Sequence, residues 1–519
     1  VRTTETQQHS NAQRALIDCI DADADALEQI AVSRPLIETL SLRAGSRIDV
    51  RGSTSARKGT VEAFSENRWK GIASVKPDGT FHNGDLPASY LNSKDTILVR
   101  IVDGEASIPV LANSYFVHPR SVWVTPTPTK QADRQAYRWL LQWADYKPTG
   151  YKLPANTRAS IFLEGDDCNV TVTIGIQGLA QQADRSQQTQ NMREHRLQRG
   201  ENILPLDPLG GVVHIRNNGS SGCRVIFDEA VQPIPYYVLD QTPPSDFLTM
   251  LLLCDAVSEV QLVGDRIAIS AYTDTFNRFA IADVAEIVRS HQEVLSIQAQ
   301  ACGLDGSSPR HRRSDMWIHA VEAASTINPS ATTGLILLPH RRDPGNEYMC
   351  ALLAGEAHKR WVTLHEYGHH FQNVVNAVAP MFRENSVNIY ALAVGRVHKH
   401  DYSDILPTRW PALKAWLAKP RDQKRYMESP DSLAIFEQLR KGFGDHYLPA
   451  WDRYIRDNPQ CTADLNGFAT SLSLVANCNL ADYLADWGVI TVNDATWHAL
   501  QALGLPAPAA GLTDLVPYL

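Results

Sequence analysis

The chain has 519 residues, with 49 basic and 57 acidic side chains and a formal net charge of -8. A single hydrophobic core stops growing near about 250–300 residues, so this length requires more than one domain. Apolar residues make up 44% and charged residues 20%, which excludes a largely disordered chain, a collagen and a disulfide-dense mini-scaffold. The acidic balance gives no global electrostatic reason to bind nucleic acid, and none is expected as a partner. The longest apolar run, Phe247 to Cys254, is far short of the ~20 residues that span a bilayer, so no transmembrane segment is predicted.

In chain order, residues 1–43 read as a helical segment. Leu16, Ile17, Ile20, Leu27, Ile30 and Ala31 recur there at three-to-four-residue spacing. Residues 44–128 read as a small β-rich module of unassigned role, with alternating or β-branched runs broken by turns such as Pro77-Asp78-Gly79. The Pro-Thr stretch at 124–129 reads as a linker. Residues 129–240 read as a β-sandwich after a short helix at 132–144, with strand-like runs at 161–163, 170–174, 212–216 and 224–227. Cys168 and Cys223 flank such runs, and a disulfide between them is predicted. None of the eight cysteines forms a CxxC pair, which argues against a zinc ribbon. From 241 to 519 helices dominate, with helical spacing at 245–258, 279–301, 355–373, 384–398, 431–442, 446–457, 465–475 and 480–487. The fold class expected is therefore α+β and multidomain, with sandwich modules preceding a mostly helical domain.

The informative segment runs from Trp361 to Gln372 and contains H-E-x-x-H as His365, Glu366 and His369. On a helix, residues i and i+4 share a face one turn apart, so two imidazoles can meet one tetrahedral metal ion. Glu366 is then placed to hold a water rather than to bind the metal, which is the zinc-hydrolase pattern. Glu384, fifteen residues after His369 on a second predicted helix, is the candidate third ligand. A His2Glu set leaves a fourth position for water. Asn388 lies one turn beyond Glu384 and is placed to hydrogen-bond a ligating histidine. His370 is about 100° off the ligand face and reads as structural.

These residues carry a family resemblance. Trp361-x3-His-Glu-x-Gly-His-x2-Gln372 followed by Glu384-x3-Asn388-Ile389-Tyr390 resembles the enhancin-like, mucin-degrading metallopeptidases of peptidase family M60. Thr149-Gly150-Tyr151 with Pro154, Gly200-Glu201-Asn202, Gly210-Gly211 and Gln232–Pro235 resemble the sandwich of that family. Residues 436–444 and 481–488 resemble its C-terminal helices. The match covers residues 130–505, and the first 125 residues lie outside it.

The resemblance implies a gluzincin-type, thermolysin-like fold, one catalytic Zn2+ and secretion. On this basis the Val1-Arg2 start reads as a trimmed signal peptide. It also implies cleavage of O-glycosylated, mucin-like proteins next to a glycosylated Ser or Thr. Carried over, His365, His369 and Glu384 are ligands and Glu366 is the general base. Trp361 and Arg383 are candidates for touching the glycan, with a core tryptophan as the other reading of Trp361. The segment 331–339 stands where the family has a stretch near the substrate cleft, and Tyr367 replaces a small aliphatic residue, which is read as a packing change. Tyr390, His398, His400, Tyr402, His446 and Tyr447 are oxyanion-stabilising candidates by type. A monomer is expected, and secretion favours a second disulfide, Cys461–Cys478. Two competing readings are a zinc protease of unglycosylated peptides and a glycan-binding adhesin with a vestigial metal site.

Overall fold

The structure is a computed structural model that describes residues 36–43, 47–54, 56–65, 68–90, 96–103, 105–106, 110–113, 120–166, 169–181, 185–187, 192–228, 230–253, 258–341, 346–378, 380–401, 406–509 and 511–518. The chain divides into two compact units. The first takes in residues 1–127, 145–288 and 322–325; the second takes in 128–144, 289–321 and 326–519.

The first unit is mostly β. Near the N-terminus, strands Leu36–Arg43, Arg47–Ser53 and Thr80–Pro87 form one antiparallel sheet. Thr60–Ser65 and Arg68–Ser74 pair beside Thr96–Asp103 in another. Ile48, Val50, Val61, Phe81, Val99 and Ile101 form their shared core. The helical reading of 1–43 is thus corrected for its last part, and residues 1–35 lie outside the described residues. Leu40 and Leu42 alternate with Thr39 and Ser41, a period of two that pairs against Val50 and Ile48.

The sandwich in the same unit has two antiparallel sheets. One orders strands Arg193–Arg196, Val170–Ile174, Gly211–Asn217, Lys147–Leu153 and Gln232–Pro233. The other orders Gly200–Ile203, Ser160–Glu164, Cys223–Phe227 and Arg120–Val124. The inward residues of both, among them Ile161, Val172, Ile215, Val225 and Phe227, form one buried core. Arg120–Val124 pairs residue for residue with Cys223–Phe227, so the strand preceding the Pro-Thr stretch belongs to this sandwich. Cys223 is buried in it, and its predicted partner Cys168 lies outside the described residues.

The second unit is mostly helical. It includes Lys130–Tyr137, Trp361–Gly368, Asn388–Val397, Ala434–Phe443, Tyr447–Asp457 and Leu465–Ala476. Its C-terminal helices close on an aromatic core in which Phe382 stacks on Phe468 at 4.1 Å and Trp451 meets Phe468 edge-on. Strand Ser330–Thr332 pairs antiparallel with Leu335–Pro339 and forms the edge of its sheet. Cys461 and Cys478 are free thiols, which corrects the second predicted disulfide. They flank the helix Leu465–Ala476, whose 12 residues span about 18 Å, against the ~7 Å that a disulfide can bridge. No described helix is long and apolar enough to cross a membrane.

Candidate metal centre

The segment 355–373 does not form one long helix. A 3-10 turn at Ala357–Lys359 leads into the helix Trp361–Gly368, and His369 caps its end. Its first turn hangs on the Arg360 carbonyl, which accepts from the Thr363 and Leu364 N–H groups at 3.0 and 3.2 Å. Its back is fixed by polar contacts. Tyr367 is fully buried and donates its hydroxyl proton to His291 Nδ1 at 2.6 Å, while His291 Nε2 donates to the Leu352 carbonyl at 3.0 Å. Burial pushes the His291 pKa down to about 4, so this pair stays neutral. Gln298 Nε2 donates to the Leu364 carbonyl at 2.7 Å. Tyr367 is buried, as a packing residue would be, and beyond that expectation its hydroxyl bonds His291.

Gly368 permits the next helices to approach. A Cβ there would lie 2.7 Å from the Val387 carbonyl oxygen and 2.9 Å from Val387 Cγ2. This close approach brings the short helix Arg383–Ser386 and the following Asn388–Val397 against the H-E-x-x-H residues.

The three predicted ligands converge. Ligand atoms of His365, His369 and Glu384 all lie within 4.8 Å of one another, the one such group among the described residues. Glu384 Oε2 is 3.3 Å from His365 Nε2 and 3.5 Å from His369 Nε2. The edge of a tetrahedron with ~2.05 Å metal–ligand bonds is about 3.4 Å, which the two spacings to Glu384 match, while the group as a whole closes to within 4.8 Å.

Both imidazoles are oriented from their Nδ1 side by amide oxygens. His365 Nδ1 lies 2.8 Å from Asn388 Oδ1, and Asn388 Nδ2 donates to the Glu384 carbonyl at 2.9 Å. His369 Nδ1 lies 2.7 Å from Gln372 Oε1, and Gln372 Nε2 donates to the Arg383 carbonyl at 2.6 Å and Ser386 Oγ at 2.7 Å. Each amide nitrogen is committed to an acceptor, so each amide oxygen must face its imidazole. The Nδ1 atoms therefore carry protons, and both Nε2 atoms face Glu384.

Glu366 is buried beside this cluster. Burial, reinforced by the Glu384 charge, pushes its carboxyl up to about 7, against a lowering by His365 and by the Ala331 backbone hydrogen bond. Burial first of all, and then the neighbouring His365, hold His369 below the ordinary histidine range despite the Gln372 hydrogen bond. A cleft of about 310 Å3 opens over these groups, lined also by Leu141, Pro329, Ser330, Ala331 and Arg383. His370 points away, fully buried, with Nε2 3.1 Å from the Thr332 carbonyl.

Trp361 is 40% exposed, which rules out the core reading of this residue. It lines a second cleft of about 510 Å3 with Asn385, Asn388, Arg409, Asp431 and Tyr518. Asn388 thus touches His365 and also faces this cleft. Arg383 is exposed at the metal cleft.

The oxyanion candidates fare differently. Tyr390 is buried with its hydroxyl on Asp452 at 3.0 Å, and Tyr447 is buried with its hydroxyl on the Leu472 carbonyl at 2.8 Å. His398 stacks on His358 at 4.4 Å and lies 6.2 Å from His400, and Tyr402 lies outside the described residues. Tyr390, His398, His400, His446 and Tyr447 do not line the metal cleft. Sequence reasoning missed the role of Gln372. The signal was its i+3 spacing from His369, read there only as part of a motif.

A family model for the N-terminal domain of M60-like peptidases matches residues 128–223, and one for peptidase M60, enhancin and enhancin-like matches residues 230–488. Among curated proteins, none matches. Solved structures share the fold. A functionally unknown conserved protein from Bacillus anthracis str. Ames is 22% identical over 76% of this chain and 82% of that one, with a TM-score of 0.67. The M60 catalytic domain of Clostridium perfringens ZmpC, solved in complex with the sialyl T antigen, is 14% identical over 76% and 81%, with a TM-score of 0.62. A metallopeptidase from Bacteroides thetaiotaomicron is 15% identical over 76% and 72%, also with a TM-score of 0.62. With both domain models matched in order and the motif residues gathered at one cluster, the chain belongs to the peptidase M60, enhancin and enhancin-like family.

Proposed function

We propose that this chain is a secreted, monomeric zinc metallopeptidase of gluzincin type. Its substrates are O-glycosylated, mucin-like proteins, cut at a peptide bond next to a glycosylated Ser or Thr. The observation that carries the reading is the convergence of His365 Nε2, His369 Nε2 and Glu384 on one point, with both imidazoles oriented by amide oxygens.

His365, His369 and Glu384 would hold a zinc ion, which would supply Lewis acidity for the scissile carbonyl and for a water. Glu366 takes the proton of the attacking water and delivers it to the leaving amine. Glu366 is suited to this work by its place, buried beside His365 and His369 and lining the same cleft. The half-buried edge strand Ser330–Thr332 borders the cleft, and an extended peptide would lie alongside it.

Trp361 offers an aromatic face to the apolar face of a sugar, and the exposed Arg383 offers donors to hydroxyls or a carboxylate. The glycan complex of the similar Clostridium perfringens domain supports a glycosylated substrate here, and such substrates are extracellular, which is the ground for secretion. The test is a pair of identical peptides, one carrying an O-glycan on Ser or Thr. Cleavage of the glycosylated peptide alone supports the reading. Preference for the bare peptide supports a general zinc protease instead. Glycan binding without cleavage or metal supports an adhesin.

A further inference from the structure

Behind the metal cluster, one buried carboxylate gathers the segments that carry the two orienting amides. Asp452 lies on the helix Tyr447–Asp457 and is 1% exposed. Its Oδ1 accepts from Asn373 Nδ2 at 2.6 Å and from Asn376 Nδ2 at 3.1 Å. Its Oδ2 accepts from the Tyr390 hydroxyl at 3.0 Å. Asn376 Nδ2 also reaches the Tyr390 oxygen at 2.8 Å, which closes the network.

The donors sit at informative places. Asn373 directly follows Gln372, which orients His369. Tyr390 is two residues beyond Asn388, which orients His365. The turn after Gln372 is knit by its own side chains: Asn373 Oδ1 accepts from the Val375 and Asn376 N–H groups at 2.8 Å each, and Asn376 Oδ1 accepts from Asn373 N–H at 3.1 Å, so Asp452 anchors a unit through these two residues. A buried carboxylate costs desolvation that an apolar side chain would not, so its presence here points to a demand for acceptors at fixed positions.

We infer that Asp452 is a positioning residue for the metal centre. Through Asn373 it holds the turn that sets Gln372 against His369, and through Tyr390 it holds the helix that sets Asn388 against His365. The inference rests on the reading of His365, His369 and Glu384 as metal ligands. Partners of this kind tune affinity through ligand orientation, with effects of about 10–100-fold per contact.

The test uses Co2+ as probe on the full chain, with affinity by titration and ligand geometry by the visible absorption of the bound ion. Asp452→Ala is expected to weaken Co2+ binding at least tenfold and to alter the absorption bands. Tyr390→Phe, which removes one hydroxyl, is expected to shift both in the same direction by less. Asp452→Asn keeps an acceptor for Asn373 and is expected to recover most of the affinity. Ile455→Ala, at a fully buried site on the same helix, is expected to lower stability yet leave affinity and spectrum unchanged. The inference is overturned if Asp452→Ala and Tyr390→Phe bind Co2+ as the parent does, or if Ile455→Ala perturbs the site equally. If Asp452→Ala does not fold, Tyr390→Phe alone decides. A parent chain that binds no Co2+ would instead overturn the metal-ligand reading itself.

Discussion

Asn388 Oδ1 accepts the Nδ1 proton of His365 at 2.8 Å, and the orientation is enforced because Asn388 Nδ2 is committed to the Glu384 carbonyl. One side chain thus ties one candidate ligand, His365, to the backbone of another, Glu384. Asn388→Ala frees the ring to rotate and to change tautomer. Its affinity for Zn2+ is expected to fall by about 10–100-fold, read by competition with a chromophoric chelator. Gln372→Ala is expected to act alike through His369. Unchanged affinity in both variants would remove the orienting role.

Gly368 is the close-approach point between the H-E-x-x-H helix and the segment after Glu384. A methyl group there meets the Val387 carbonyl oxygen at 2.7 Å, so the two must separate. Gly368→Ala is expected to lose about 1–3 kcal/mol of stability by overpacking, seen in thermal or urea unfolding, and to lose metal with it. A variant as stable and as metal-replete as the parent would contradict the packing account.

The sequence made part of this centre legible and hid the rest for physical reasons. His365, Glu366 and His369 are readable because helical spacing alone fixes their common face. Glu384 and Asn388 are readable because they stand four residues apart, although the single helix read over 384–398 is in fact two, Arg383–Ser386 and Asn388–Val397. The role of Gln372 was hidden because the helix ends at Gly368, and the chain then curls back so that an i+3 amide meets the ring edge. Asp452 was out of reach entirely, since it lies 79 residues from Asn373 and only the packed fold joins them. In the fold, the sandwich strands announced themselves through β-branched runs. Leu36–Arg43 did not, because Leu36, Ile37 and Leu40 satisfy a helical period as well as an alternating one. The Cys461–Cys478 pairing failed because sequence proximity ignores the rigid helix between them.

Asp452 also gives the chain a pH signature. Burial pushes its carboxyl up to about 7, against lowering by Arg456 and by hydrogen bonds from Tyr390, Asn373 and Asn376. An unfolded aspartate titrates near ~3.9, so between that value and about 7 the folded state binds the proton that the unfolded state has lost. The contribution of this group to stability is full below pH ~4 and declines as pH rises through 7. Unfolding free energies at pH 5 and pH 8 are expected to differ less in Asp452→Asn than in the parent. An identical pH dependence in the two proteins would contradict this.

Trp361 tests the substrate side without touching the metal. Trp361→Ala is expected to keep its Zn2+ content and to lose at least tenfold in kcat/KM on a glycosylated peptide. Loss of metal, or equal activity on that peptide, would show that the half-exposed ring serves another purpose.

The most direct measurement is mass spectrometry of the fragments released from a defined O-glycoprotein by the parent chain, by the parent with a chelator, and by Glu366→Gln. The expected result is cleavage next to glycosylated Ser or Thr by the parent alone, with Glu366→Gln folded, zinc-loaded and inactive. Cleavage by Glu366→Gln at the parental rate, cleavage unaffected by the chelator, or fragments ending only at unglycosylated residues would contradict it.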